Sequence, residues 1–249
     1  RVKIFFDGVM TDAEIIINGK PAGELHQGGF YRFSYDITEL LNLGKKNQLE
    51  VKVAKESANR SINAAERKAD WWLFGGIYRP VWLEVLPQIH MKHFVLSADH
   101  KGKFQASIDM EGDAKGHEIV VSVRSLKDGK TVYTSNGQTT ITHPINNSGK
   151  EQMISGEWTN IVPWSTEAPN LYVVKLELKN PEGKIVQTRE TRIGFRTVEF
   201  FPQDGVYLNG TKLVIKGINR HSFSVDGGRT TNAALSRMDA QLIKEMNMN

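Results

Sequence analysis

Two stretches of this sequence set polar and aromatic residues where they can do chemistry. The first is Asp70-Trp71-Trp72-Leu73-Phe74-Gly75-Gly76-Ile77-Tyr78-Arg79-Pro80. A carboxylate beside two tryptophans suits a sugar: indole rings stack on the apolar C–H faces of a pyranose while the carboxylate accepts hydrogen bonds from its hydroxyls. The same residues also suit a structural part, with the tryptophans plugging a sheet and Asp70 capping a turn. The second stretch is Leu213-Val214-Ile215-Lys216-Gly217-Ile218-Asn219-Arg220-His221. An apolar, β-branched run leads to a glycine and then to polar groups, the pattern of a buried strand that ends at a chemical surface. A histidine there can donate to a substrate hydroxyl and an arginine can hold a neighbouring carboxylate. A polar strand end with satisfied side chains is the other reading.

Other chemistries find little support. His90, His93 and His100 recur at intervals of three and seven, which along an alternating strand do not share one face, so no metal site is expected. No Gly-x-x-x-x-Gly-Lys-Ser/Thr loop and no Gly-x-Ser-x-Gly elbow appears, so neither a phosphate-binding cofactor nor a serine nucleophile is expected.

The elements that must position these residues are mostly strands. Val2–Phe6 and Ala13–Ile17 flank a region closed by the hairpin signal Asn18-Gly19. Gly28-Gly29 marks a second turn before a strand over Phe30–Tyr35. Leu49, Val51 and Val53 alternate with polar residues, as do Val81, Leu83 and Val85, predicting strands with one buried and one wet face. Lys55–Ala69 is polar and aperiodic and reads as a long loop. From residue 88 to 196 the turns are dense. Ile119, Val121 and Val123 alternate, Asp128-Gly129 closes a hairpin onto Thr131–Tyr133, and Tyr172, Val174, Leu176 and Leu178 alternate again before Pro181-Glu182-Gly183. About seven short strands in a sandwich are expected. Val198–Gly210 then crosses to the apolar run, with Asn209-Gly210 as a hairpin turn. Ala233–Met246 predicts a helix: Leu235, Met238, Leu242, Ile243 and Met246 fall on one stripe, and Thr231 or Asn232 can cap its start. Strand, polar loop and amphipathic helix make one βα unit of an α/β barrel, whose polar residues gather at the strands' carboxyl ends.

Composition narrows the classes. The 249 residues carry a net charge of +4 with lysines and arginines scattered, unlike the basic stripe of a nucleic-acid binder. No run of roughly 18 apolar residues is present to span a membrane. Zero cysteines exclude disulfides and thiolate chemistry.

At these stretches the sequence resembles glycoside hydrolase family 2, which contains β-galactosidases and β-glucuronidases. Phe6-Asp7-Gly8-Val9 with Asn18-Gly19, Gly28-Gly29-Phe30 and Asp70 followed by Gly75-Gly76-Ile77-Tyr78-Arg79-Pro80-Val81 is similar to that family's sugar-binding jelly roll. Pro169-Asn170-Leu171-Tyr172 and Ile193-Gly194-Phe195-Arg196 resemble landmarks of its immunoglobulin-like sandwich. Lys216-Gly217-Ile218-Asn219-Arg220-His221 and Asp239–Asn249 resemble the opening of its catalytic barrel.

The resemblance implies a mainly β chain in three parts: a partial jelly-roll sugar-binding domain over 1–87, an immunoglobulin-like β-sandwich over 88–196, and the first βα unit of a TIM barrel within 197–249. It implies a retaining exo-β-glycosidase, a β-galactosidase before a β-glucuronidase or β-mannosidase. A carbohydrate-binding module without catalysis is the alternative from another class. Asp70 then takes the position of the jelly-roll aspartate that reaches the active site, and His221 that of the barrel histidine at the glycone. Arg220 and Asn219 are further substrate-binding candidates. Asp226-Gly227-Gly228-Arg229 stands where some β-galactosidases have a histidine-rich loop. The resemblance places both catalytic glutamates beyond Asn249, so no catalytic residue is expected in this chain, which reads as an excerpt of a larger enzyme. The expected partner is a β-glycoside or oligosaccharide, with no cofactor, nucleic acid or membrane; a homo-oligomer is allowed, and the periplasm or exterior is favoured over the cytoplasm.

Overall fold

A computed structural model of the chain describes residues 1–68, 75–146 and 150–249. Its backbone divides into two units: Arg1–Val85 with Ile218–Met248, and Leu86–Gly217 with Asn249. No helix among the described residues is long and apolar enough to cross a membrane.

In the first unit two three-stranded antiparallel sheets face each other. One holds β1 (Val2–Phe6) between β5 (Phe33–Asp36) and β8 (Val81–Val85). The other holds β3 (Asp12–Ile17) between β4 (Lys20–Pro21) and β6 (Leu49–Ala54). A two-residue pair, β2 (Val9–Met10) with β7 (Gly76–Ile77), completes the strands. Alternation aims Ile4 and Phe6 of β1 and Ala13, Ile15 and Ile17 of β3 into one core, joined by Val9 and Ile37. The Asn18-Gly19 turn between β3 and β4 has φ of 52° and 78°, the geometry of a two-residue hairpin that this residue pair favours.

Three expectations need correction here. The polar stretch beginning at Lys55 is not simply a loop, because it contains α1 (Arg60–Glu66). Its start is fixed by Asn59, whose side chain accepts from the N–H groups of Ser61 and Ile62, and capping makes a short helix possible without an apolar stripe. The strand expected over Phe30–Tyr35 begins only at Phe33. And the apolar side of β8 is not buried: Leu83 is 58% and Val85 76% exposed. Leu83 pairs with Ile4 and so points to the inner side, but β8 is an edge strand that the facing sheet does not cover.

The second unit contains the sandwich. Seven strands, β9 (His90–Ala98), β10 (Lys103–Glu111), β11 (Glu118–Ser125), β12 (Thr140–Pro144), β13 (Glu151–Glu157), β14 (Tyr172–Lys179) and β15 (Ile185–Ile193), form sheets ordered β13-β10-β9 and β12-β11-β14-β15. The predicted alternations are the buried ones: Ile119, Val121, Val123, Tyr172, Val174, Leu176 and Leu178 enter one core with Phe104, Trp158 and Phe195. Beyond the Asp128-Gly129 turn the expected strand over Thr131–Tyr133 is reduced to one bridge, Arg124 to Thr131. The sequence Asn146-Asn147-Ser148-Gly149 predicts a loop tip, of which residues 147–149 lie outside the described residues. His90 is buried against the carbonyl of Pro87, while His100 contacts Thr197. A three-stranded meander follows: β16 (Val198–Phe201), β17 (Gly205–Leu208) and β18 (Thr211–Leu213), the last two joined by the Asn209-Gly210 turn.

The expected strand through His221 stops at Leu213. Residues 214–221 pair with no ladder among the described residues, and Val214, Ile215 and Ile218 are 70%, 62% and 51% exposed rather than covered on both faces. A parallel strand needs lateral partners to close its hydrogen bonds, and no described strand lies beside this segment to supply them. The helix is as expected. α2 (Ala233–Glu245) starts at Asn232, whose side chain accepts from Leu235 N at 2.8 Å.

Candidate active-site pocket

Within the first unit an open pocket of about 410 Å³ is lined by Phe30, Tyr78, Arg79, Arg220, His221, Ser222, Phe223 and Arg229. That size suits a small ligand such as one sugar ring. The lining comes from three places. Phe30 follows the Gly28-Gly29 turn, Tyr78 and Arg79 lie in the link between β7 and β8, and the rest belong to the segment leading to α2.

Each contributor is held by its own contacts. Arg220 donates from Nε to Asp239 Oδ2 on α2 at 2.6 Å, pairs with the same carboxylate through Nη2, and reaches Ser222 Oγ through Nη1 at 3.1 Å. A charge-assisted pair of this kind fixes the direction of the guanidinium as well as its place. Ser224 and Gly228 exchange backbone hydrogen bonds of 2.8 and 2.9 Å, so Val225–Gly227 form a tight turn. That turn carries Arg229 to within 4.8 Å of the Phe30 ring, a cation–π distance. Thr230 Oγ1 donates to Tyr78 O at 3.4 Å, and Arg79 lies 5.4 Å from the Tyr78 ring. Burial raises the Tyr78 phenol above its ordinary pKa and the Glu66 carboxylate adds to that, against the opposing pull of Arg79 and Arg229. The phenol therefore stays a donor at neutral pH, and it donates to Gly29 O at 2.5 Å.

The two adjacent candidates Arg220 and His221 thus share one concave wall with aromatic rings. Such a wall can stack on the C–H face of a sugar while the guanidinium and imidazole meet its oxygens. Asn219 is exposed and does not line the pocket. Asp70, Trp71 and Trp72 lie outside the described residues, between the end of α1 and the start of β7. Sequence reasoning singles out Tyr78 and Arg79 as part of a motif. It does not single out Phe30 or Arg229 as pocket walls, because only the fold brings a turn near residue 29 to a turn near residue 227. Among the described residues no three His, Asp or Glu side chains gather as a metal group would require.

Comparison with known proteins accounts for nearly the whole chain. Three models of one family match in order: the sugar binding domain of glycosyl hydrolases family 2 over residues 1–87, the model named simply for the family over 88–196, and its TIM barrel domain over 202–249. A β-galactosidase of Thermoanaerobacter pseudethanolicus is 32% identical over 255 residues, covering 100% of this chain and 33% of the relative. A putative β-glucuronidase of Formosa agariphila is 29% identical over 264 residues, covering 99% of this chain and 29% of the relative. Among solved structures, the β-glucuronidase of Bacteroides uniformis superposes with a TM-score of 0.79 at 28% identity, covering 100% of this chain and 30% of that one. The chain therefore spans about a third of the length of the curated relatives it matches. With the mainly β architecture and three consecutive matches to a single family, the chain belongs to glycosyl hydrolases family 2, contributing its sugar-binding domain, its immunoglobulin-like sandwich and the opening of its TIM barrel.

Proposed function

We propose that the protein carrying this chain is a retaining exo-β-glycosidase whose substrate is a terminal β-galactoside. In such enzymes one carboxyl group protonates the leaving oxygen, and a second, about 5–5.5 Å away, forms a glycosyl intermediate that water hydrolyses. By the family resemblance both groups belong to barrel strands beyond Asn249. This chain supplies glycone recognition: His221 and Arg220 act on the hydroxyls, Phe30 and Tyr78 offer apolar faces, and Asp70 adds a carboxylate acceptor. The observation that carries the reading is the shared wall of Arg220, His221, Phe30 and Tyr78 around a pocket of about 410 Å³, in a chain of this family.

A second reading, a β-glucuronidase, draws on one specific feature. Asp239 neutralises Arg220, but Arg79 and Arg229 also line the pocket, and a uronate carboxylate calls for cationic partners. Initial rates of the full-length protein on nitrophenyl β-galactoside, β-glucuronide and β-mannoside decide between them. The proposal expects the galactoside to be cleaved with the highest kcat/KM and with retention at the anomeric carbon. A glucuronide preference replaces it with the second reading, and no cleavage of any of the three refutes catalysis in favour of a binding module.

A further inference from the structure

Four backbone groups of the turn that presents Phe30 are tied by side chains, and three of the four ties come from aromatic rings. Tyr31 Oη donates to Gln27 O. His26 Nε2 lies 2.9 Å from Gly28 O and acts as its donor. Tyr78 Oη donates to Gly29 O at 2.5 Å. Three successive carbonyls are thus satisfied by ring-bearing side chains. The peptide N–H of Gly29 is met differently: it donates to both oxygens of Glu66, at 3.1 and 2.9 Å. Glu66 is the last residue of α1, and its Oε2 also accepts from the buried Thr11 Oγ1 at 3.3 Å. Gly29 is buried, and a Cβ placed there would stand 2.7 Å from Met10 Cε and 3.5 Å from Glu66 Oε2, so the backbone runs close under the carboxylate.

Resting on the glycosidase reading above, we propose that Glu66 is a positioning residue for the sugar pocket, acting on the glycone through the Gly29–Phe30 peptide. The carboxylate and the Tyr78 phenol grip the two sides of Gly29, N–H and C=O, and so set the direction in which the chain delivers the Phe30 ring. A charge-assisted bond to a buried N–H is the stiffer kind. Displacement of an aromatic platform weakens ground-state and transition-state binding alike, so the effect falls on KM rather than on kcat.

The test uses the full-length protein and the nitrophenyl glycoside it cleaves fastest. Glu66→Ala is expected to raise KM about tenfold with kcat within about twofold. Glu66→Gln, whose amide oxygen still accepts from Gly29 N–H, is expected to recover most of the affinity. In a Phe30→Ala background, Glu66→Ala is expected to add nothing further, because the group it positions is gone. If truncation compromises folding, Glu66→Asp carries the same expectation, since it keeps the charge and withdraws it by one methylene. Wild-type KM in Glu66→Ala overturns the proposal, and so does the same increment with and without the Phe30 ring. A Phe30→Ala variant with unchanged KM overturns both this proposal and the placement of the sugar; a Phe30→Ala defect without a Glu66 defect overturns the positioning role alone.

Discussion

Gly102 is the backbone position whose substitution the sandwich tolerates least. It sits in the turn between β9 and β10 with φ of +100°, and a Cβ built there falls 2.0 Å from the carbonyl oxygen of Trp158. Trp158 is fully buried, and its own N–H donates to Gly102 O at 2.9 Å. Gly102→Ala therefore combines a disfavoured φ, about 1–3 kcal/mol, with forced displacement of packed backbone, about 1–3 kcal/mol. Loss of the hydrogen bond to Trp158 adds about 1 kcal/mol. The sum is roughly 3–7 kcal/mol. For a unit of this size each kcal/mol lowers Tm by about 3–5 °C, so a fall of more than about 10 °C follows. Gly129 is the matched control. Its φ is +72°, but nothing lies within 4 Å of the place an alanine methyl group would take, so Gly129→Ala carries only the conformational cost of about 1–2 kcal/mol. Scanning calorimetry of the two variants beside the parent chain measures the difference. Equal shifts refute the reasoning, because they would mean that the close approach to Trp158 costs nothing.

Two further outcomes follow from local contacts. Asn232→Ala removes the acceptor at the start of α2 and is expected to cost about 1 kcal/mol; hydrogen exchange at Leu235 N–H should accelerate about fivefold, and an unchanged rate would show that the cap is not made. The Asp7 carboxyl is pushed up by burial, but hydrogen bonds from Trp82 and Arg32 outweigh that and hold it below its ordinary value. A depressed folded-state pKa contributes stability that is complete above the unfolded value, near pH 4, and is lost as pH falls through the folded value. The stability gap between the parent chain and Asp7→Asn should therefore close as pH falls below about 4 in urea titrations; a gap that widens on acidification contradicts the assignment.

What the sequence discloses depends on how far its signals reach. Alternation is a local signal, and where two complete sheets meet it identifies the core directly, as Ile119 to Val123 and Tyr172 to Leu178 show. Where a strand lies at an edge the same alternation misleads: Leu83 points to the inner side of its sheet yet is 58% exposed, since burial is set by the neighbour and not by the strand. The run Val214–Ile218 misleads in the same way, its apolar residues implying a cover that the described chain does not provide. α1 is hard to read because a helix of seven residues carries too little period, and only the Asn59 cap signals it. In the pocket, Arg220 and His221 are legible as polar groups after an apolar run. Phe30 and Glu66 are not, because their role exists only once residues 29 and 66 are brought within hydrogen-bond distance, which no local pattern encodes.

Glycone recognition, as proposed, requires His221 and Asp70 to hold one and the same sugar ring. The kcat/KM of His221→Ala and Asp70→Ala in the full-length protein tests this most directly, with circular dichroism confirming that both variants fold. Losses of about tenfold for the imidazole and about tenfold to a hundredfold for the carboxylate are expected, the scale of one hydrogen bond to a neutral and to a charged partner. Wild-type kcat/KM in both variants would contradict it.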